Sequence, residues 1–266
     1  MSRYAVGLSY HGAAYHGWQR QADLPTVQGE IEAALSRVAD HPVSISVAGR
    51  TDAGVHASGQ VIAFDSVSNR TVADWLRAGN GLTSDAIRFN WVQPVSADFH
   101  PRYSAAARRY VYLYSDISRD QRAAPDPHLS GLTWGTPDLD PDRMHREGQA
   151  LLGEHDFTSF RAAGCQSLTP LRRVNRLSVS RQGPFVVFEI EANAFLLHMV
   201  RNIASALKDI GSDPTRPDGE IASLLAAKDR RQVGKTAPPQ GLYLASVSYP
   251  DFDLPEDRAP GLIQDF

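Results

Sequence analysis

Apolar residues alternate with smaller or polar ones at Tyr4, Val6, Leu8 and Tyr10, which predicts a strand. Thr26 supplies an N-cap for a helix carrying Val27, Ile31, Leu35 and Val38 on one face, with Glu30 and Glu32 in its early turns. Val43, Ile45 and Val47 alternate again, and the run 61–64 is apolar with strand chemistry. Val72, Trp75 and Leu76 suit a second helix, and Ile87, Phe89 and Trp91 alternate as another strand. The predicted order is strand, helix, strand, strand, helix, strand.

The second half repeats that order. Tyr110, Tyr112 and Tyr114 alternate, and Met144, Leu151 and Leu152 fall on a helix started by Asp142. Two strands, 174–179 and 185–191, are separated by the turn signal Gln182-Gly183-Pro184. The stretch 195–210 reads as a helix stopped by Gly211, and 242–249 as the last strand. Two βαββαβ units predict an α+β fold of two ferredoxin-like halves, each an antiparallel sheet with helices on one face. The expected boundaries are 1–104, 105–250 and a tail, 251–266, with a Pro-rich insertion at 124–137. The uncovered sheet face is where nucleic-acid-binding proteins of this architecture hold bases, although the architecture alone does not set function.

Composition narrows the classes. The chain has 266 residues, of which 42% are hydrophobic and 21% charged, which excludes a largely disordered chain, a collagen and a coiled coil. A single cysteine, Cys165, excludes an intramolecular disulfide framework and any multi-cysteine metal site. The nine histidines show no ligand spacing, so no metal is expected. The residues after Met1 lack a long apolar run, and the apolar stretch 185–200 is broken by Glu189, Glu191 and Asn193. A cytoplasmic protein with no membrane span is the expectation.

The formal charge of −3 argues weakly against a nucleic-acid partner until its distribution is considered. Residues after Tyr249 hold five acids against one arginine, so the rest of the chain nets +1. Within it, basic residues cluster at Arg102, Arg108 and Arg109, at Arg172, Arg173 and Arg176, and at Arg230, Arg231 and Lys235. Each cluster also reads as ordinary solvated loop charge.

One segment carries chemistry. Gly49-Arg50-Thr51-Asp52-Ala53-Gly54-Val55-His56-Ala57-Ser58-Gly59-Gln60 lies between two predicted strands, yet it is too long and polar for a simple hairpin turn. Its glycines permit a tight, exposed backbone, and one carboxylate, Asp52, lies two residues from a guanidinium. An Asp that merely shapes the loop reads equally well from spacing alone. Gly234-Lys235-Thr236 only mimics the end of a P-loop, because Asp229 stands where the first glycine is needed.

Gly-Arg-Thr-Asp-Ala-Gly-Val-His at 49–56 resembles the catalytic motif of the tRNA pseudouridine synthase A (TruA) family. Further blocks resemble the family in order along the chain: Tyr10-His11-Gly12 with Tyr15-His16-Gly17-Trp18-Gln19, Thr26-Val27-Gln28-Gly29-Glu30, and Phe99-His100-Pro101-Arg102 with Ala107-Arg108-Arg109-Tyr110. The blocks at 153–160, 195–202 and 236–244 complete the resemblance. Ser205, where the family usually has Gly, and the acidic tail depart from it.

The resemblance implies the pseudouridine synthase fold, with two ferredoxin-like (RRM-like) halves flanking a central cleft. It implies isomerisation of uridine to pseudouridine in the tRNA anticodon stem-loop, at roughly positions 38–40, on a flipped-out base. Such an isomerisation needs no cofactor, and family members are homodimers. Carried over residue by residue, Asp52 is the catalytic group, while Arg201 pairs with it and favours its ionised form. Arg50 contacts RNA beside the displaced nucleotide, Tyr110 stacks on the uracil, and Leu244 walls the pocket. Arg20, Arg102, Arg108 and Arg109 are candidates for the RNA backbone. Each has a plainer reading: a helix-surface charge for Arg201, a core aromatic for Tyr110, a core leucine for Leu244. Two other functions compete. A non-catalytic RNA-binding protein on the same fold lacks an RNP1-like string, and an Asp-dependent hydrolase lacks a second carboxylate in the loop.

Overall fold

A computed structural model describes residues 1–116, 127–255 and 260. The chain divides into two compact units, residues 1–106 with 243–265, and residues 107–242.

The first unit follows the predicted order: β1 (Ser2–Tyr10), α1 (Val27–Ala39), β2 (Ile45–Val47), β3 (His56–Ser66), α2 (Val72–Leu82) and β4 (Ile87–Val95). Strand β1 lies between β3 and β4, antiparallel to both, and β2 adds antiparallel to β3. Thr26 caps α1 by accepting the Gly29 N–H at 3.3 Å, and Thr71 and Asp74 form a reciprocal capping box on α2. Tyr4 stacks on its cross-strand partner Phe64 at 5.4 Å, and Trp75 of α2 meets Phe64 edge-on at 5.0 Å, so this sheet face packs on the helices.

The second unit contains β5 (Ala107–Asp116), β6 (Trp134–Thr136), α3 (Pro141–Gly148), β7 (Gly153–Asp156), β8 (Leu171–Gln182), β9 (Phe185–Ala192), α4 (Met199–Ser212) and α5 (Glu220–Ala227). Its antiparallel sheet runs β5-β9-β8-β7, with β6 parallel to β5. Tyr112 and Tyr114 are wholly buried; Tyr114 Oη donates to the Ala204 carbonyl of α4 at 2.8 Å. Gly148 of α3 packs on Leu177 of β8 so closely that a Cβ there would meet Leu177 Cδ2 at 2.6 Å. Both helices therefore cover one face.

A last strand, β10 (Leu242–Ser248), pairs parallel to β3, with Tyr243 opposite His56 and Leu244 opposite Ala57. Residues 243–255 belong to the first unit, whereas the sequence boundaries keep 242–249 with the second half.

Several expected edges move for local reasons. Helix α3 starts one residue before the expected Asp142, because Asp140 accepts the Arg143 N–H at 3.0 Å and Pro141 opens the first turn. Helix α4 begins at Met199 rather than 195, because His198 takes a left-handed backbone (φ 58°) that interrupts the apolar run. Gly211 does not stop it: the helix continues to Ser212, and Met144 fills the space a Cβ would need, 2.6 Å away. Residues 56–60, expected in the polar loop, already belong to β3. Elements β6, β7 and α5 were not expected; β6 lies inside the Pro-rich stretch, whose residues 124–126 fall outside the described residues. Of the expected acidic tail, 256–259 and 261–266 fall outside them too. No helix among the described residues is long and apolar enough to cross a membrane.

Candidate active site

The loop bearing Asp52 is short once residues 56–60 are returned to β3, and it is hydrogen-bonded at Ala48, Gly49, Thr51, Asp52 and Val55. Ala48 N–H donates to Val61 O at 2.9 Å, prolonging the sheet. Gln60, fully buried, donates from Nε2 to Gly49 O at 2.6 Å and to Tyr10 Oη at 3.3 Å. Tyr10 Oη lies 2.7 Å from Thr51 Oγ1, inside the core. Burial pushes the Tyr10 phenol up to about 12, against the opposing hydrogen bonds to Thr51 and Gln60, so it stays protonated. The Val55 N–H closes a turn on Asp52 O at 3.1 Å, with Gly54 in the left-handed region (φ 79°). Asp52 itself is half-buried and Arg50 is exposed.

A second segment braces this loop from the side. Trp18 N–H donates to Thr51 O at 3.0 Å, while Gly17 O and Trp18 O accept the first amides of α1, from Val27 and Gln28. A Cβ on Gly17 would meet Ala53 N and Thr51 O, both at 3.1 Å, and one on Gly12 would meet Val55 O at 2.0 Å. Only glycine allows backbones to approach so closely. Gly12 N–H donates to Nδ1 of His56 at 3.0 Å; His56 is 1% exposed and stacks on Tyr243 at 4.7 Å. Helix α1 and strands β1, β3 and β10 thus hold one carboxylate in place.

In the second unit Tyr110 lies on β5, half-buried, edge-on to Phe195 at 5.0 Å. It shares a sheet face with Tyr112 and Tyr114, as alternate residues must, so it stands at the end of the helix-covered face and not on the opposite one where bases were expected. Arg201 sits in the first turn of α4, half-buried, with Nε donating to Ala237 O at 2.8 Å. Asn202 beside it is fully buried: Nδ2 donates to Phe160 O (2.8 Å), and Oδ1 accepts from Arg230 Nη2 (3.0 Å) and Thr236 Oγ1 (2.8 Å). This amide ties the 230–237 loop, and through Ala237 the Arg201 side chain, to the helix. Tyr112 Oη donates to Pro238 O at 2.8 Å in the same neighbourhood, and burial holds its phenol far above the usual range despite the nearby Arg201 charge. On the preceding turn, Leu197 N–H donates to Cys165 Sγ at 3.4 Å.

The remaining predicted residues separate. Leu244 is wholly buried, opposite Ala57. Arg20 pairs with Glu32 at 3.0 Å but stays two-thirds exposed, and exposed Arg102 lies over the Tyr103 ring at 5.8 Å. Arg109 faces Glu189 at 3.6 Å. Arg108 is only 9% exposed and donates to Asn193 O at 3.1 Å, which leaves little of it for a phosphate. Asp52, Arg50 and Leu244 belong to the first unit, Tyr110 and Arg201 to the second. Sequence reasoning gave no role to Tyr10, Gln60, His56, Asn202 or Ala237. The spacing of Gly12 and Gly17 was the available signal for the brace.

A family model described as tRNA pseudouridine synthase matches residues 8–104 and 148–250, a span that leaves out Arg108, Arg109 and Tyr110. The tRNA pseudouridine synthase A of Coxiella burnetii (strain RSA 331 / Henzerling II) is 50% identical over 256 residues, covering 96% of both chains. The proteins of that name from Escherichia fergusonii (49% identical; 95% of this chain and 92% of that one) and Shewanella amazonensis (49%; 96% of each) are similar over nearly the same length. A solved Cbf5–Nop10–Gar1 complex is matched with a TM-score of 0.34 and 11% identity over 91% of this chain and 48% of that one, a likeness too slight to bear on fold or chemistry. The chain belongs to the tRNA pseudouridine synthase family. It is an isomerase that converts uridine to pseudouridine in tRNA.

Proposed function

We propose that this isomerase acts on uridines of the anticodon stem-loop, at roughly positions 38–40 on a base flipped out of its stack, with Asp52 as nucleophile. The observation that carries the reading is the loop itself: a partly exposed carboxylate on a turn whose backbone is held by Gln60, Trp18 and Val55 and whose Thr51 hydroxyl is held by Tyr10. Such rigidity serves a reacting group and is wasted on a solvated one.

The reaction balances within the nucleotide. The N1–C1′ bond breaks, the uracil turns, a C5–C1′ bond forms, C5 loses its proton and N1 gains one. Asp52 supplies the electron pair that holds the detached fragment and leaves when the new bond closes. Arg201, steadied by Ala237 O, is the counter-charge to Asp52, and Arg50 contacts the backbone beside the flipped nucleotide. Tyr110 stacks on the uracil, worth about 1–3 kcal/mol, which offsets part of the few kcal/mol of unstacking. Leu244 contributes apolar wall. Arg20 and Arg102, both exposed, are the phosphate contacts. The enzyme works as a cytoplasmic homodimer.

The test is Asp52→Asn. Tritium release from C5-labelled uridine in tRNA disappears while tRNA binding survives; undiminished release removes Asp52 from the reaction. Mapping pseudouridine in tRNA from cells with and without the protein fixes the position, and signals lost outside the anticodon stem-loop refute the proposed target.

A further inference from the structure

We infer that His56 is a positioning residue for Asp52, acting as a hydrogen-bond acceptor that latches the residues 11–15 turn against the catalytic loop; the inference rests on Asp52 as the reacting group. The donor at this contact is a backbone amide, Gly12 N–H, so Nδ1 of His56 must carry the lone pair and the neutral ring its proton on Nε2.

The latch has a direct route to the carboxylate. Gly12 lies in backbone contact with Val55, close enough that a Cβ would meet Val55 O at 2.0 Å. The Val55 N–H is the group that closes the Asp52 turn. A shift of Gly12 therefore moves Val55, and Val55 moves Asp52. The far side of the turn is anchored independently. His11 N–H donates to Ala86 O at 2.9 Å, Tyr15 N–H to Gly12 O at 3.0 Å, and Tyr15 Oη to Glu30 Oε2 of α1 at 2.7 Å. The His56 side chain joins this anchored turn to the strand leaving the loop. The imidazole is held for the task, stacked on Tyr243 at 4.7 Å, edge-on to His11 at 4.7 Å, and buried. A buried Gly12 amide deprived of its acceptor must move to find another.

Two substitutions separate the acceptor from the ring. Asn places Oδ1 where His places Nδ1, whereas Leu fills the space without an acceptor; both remove the stack on Tyr243. With His56→Leu, kcat for C5 tritium release is expected to fall at least about tenfold while KM for tRNA stays within about threefold. His56→Asn is expected to return kcat to within about threefold of the unmodified enzyme. Equal loss in the two variants, a wild-type kcat in His56→Leu, or a loss carried by KM overturns the inference. Nitrogen-15 histidine spectra of the unmodified protein give a check that needs no variant: His56 must appear neutral with its proton on Nε2, and a proton on Nδ1 overturns it. An active Asp52→Asn enzyme would instead sink the reading of Asp52, whereas an inactive Asp52→Asn beside a fully active His56→Leu sinks the latch alone.

Discussion

Tyr10→Phe removes one oxygen from the support beneath the catalytic loop and little else. The ring keeps its packing against Trp18, 5.9 Å away between centroids. What is lost is the hydroxyl between Thr51 Oγ1 (2.7 Å) and Gln60 Nε2 (3.3 Å). Gln60 retains Gly49 O at 2.6 Å, so its amide is not orphaned. Thr51 is buried, and its hydroxyl loses this partner. One net hydrogen bond is worth about 0.5–1.5 kcal/mol, and a buried polar atom left unmatched adds about 1–3 kcal/mol. The shorter of the two contacts dominates, so the expected cost is about 1–3 kcal/mol. For a chain of this size that lowers Tm by about 2–4 °C per kcal/mol. Urea unfolding measures it, with an unchanged m-value. A double-mutant cycle with Thr51→Val should return a coupling of about 0.5–3 kcal/mol. Because Thr51 precedes Asp52, turnover should fall as well, up to about tenfold for each 1.4 kcal/mol felt at the loop. Stability within about 0.5 kcal/mol of the unmodified protein, well below the hydrogen-bond values used here, would refute the reasoning.

Other outcomes follow from separate contacts. Thr26→Ala removes the cap of α1 and should cost about 1 kcal/mol in urea unfolding; no loss would mean that Gly17 O and Trp18 O suffice at that terminus. Gly241→Ala forces a Cβ to within 2.7 Å of the Tyr112 ring and 2.9 Å of Leu113 O, and the overpacking should cost about 1–3 kcal/mol. The Arg231 side chain and amide hydrogen-bond Asp229 and hold its carboxyl down at about 2. Its contribution to stability is therefore complete above the ordinary value of 3.8 and is lost as pH falls through about 2. A carbon-13 titration should place the native midpoint near 2, and Arg231→Gln should return it toward 3.8. Affinity for tRNA should fall steeply with salt, and Arg20→Gln should flatten the slope; a flat response in the unmodified enzyme removes the phosphate contacts.

The first unit was legible almost element by element, because α1, α2 and β4 each bury one face and their apolar period states which, while β1, buried on both faces, still alternates large and small residues. The second was less so. Apolar periodicity extends helix α4 back to Phe195 because it counts apolar residues but is blind to the left-handed backbone at His198. Strands β6 and β7, three and four residues long, are too brief to show a period. At the site, the catalytic motif was recognisable as a string, but its mechanical supports were not. Tyr10 reads as one more strand aromatic until its hydroxyl is seen at Thr51, and Asn202 reads as a polar interruption of an apolar helix until its three hydrogen bonds are traced. Those contacts join residues 28 to 42 positions apart, a range over which local pattern says nothing.

The sulfur that accepts the Leu197 amide is the chain's single thiol, part-exposed, and Leu197 itself lies four residues before Arg201 in the first turn of α4. Burial would raise its pKa, but amides of Leu197 and Ser167 and the Arg161 guanidinium outweigh that and draw it below the ordinary value. A maleimide dye should therefore attach at one place, in mild conditions and without engineering, and its emission would follow substrate arriving at the neighbouring helix turn in real time.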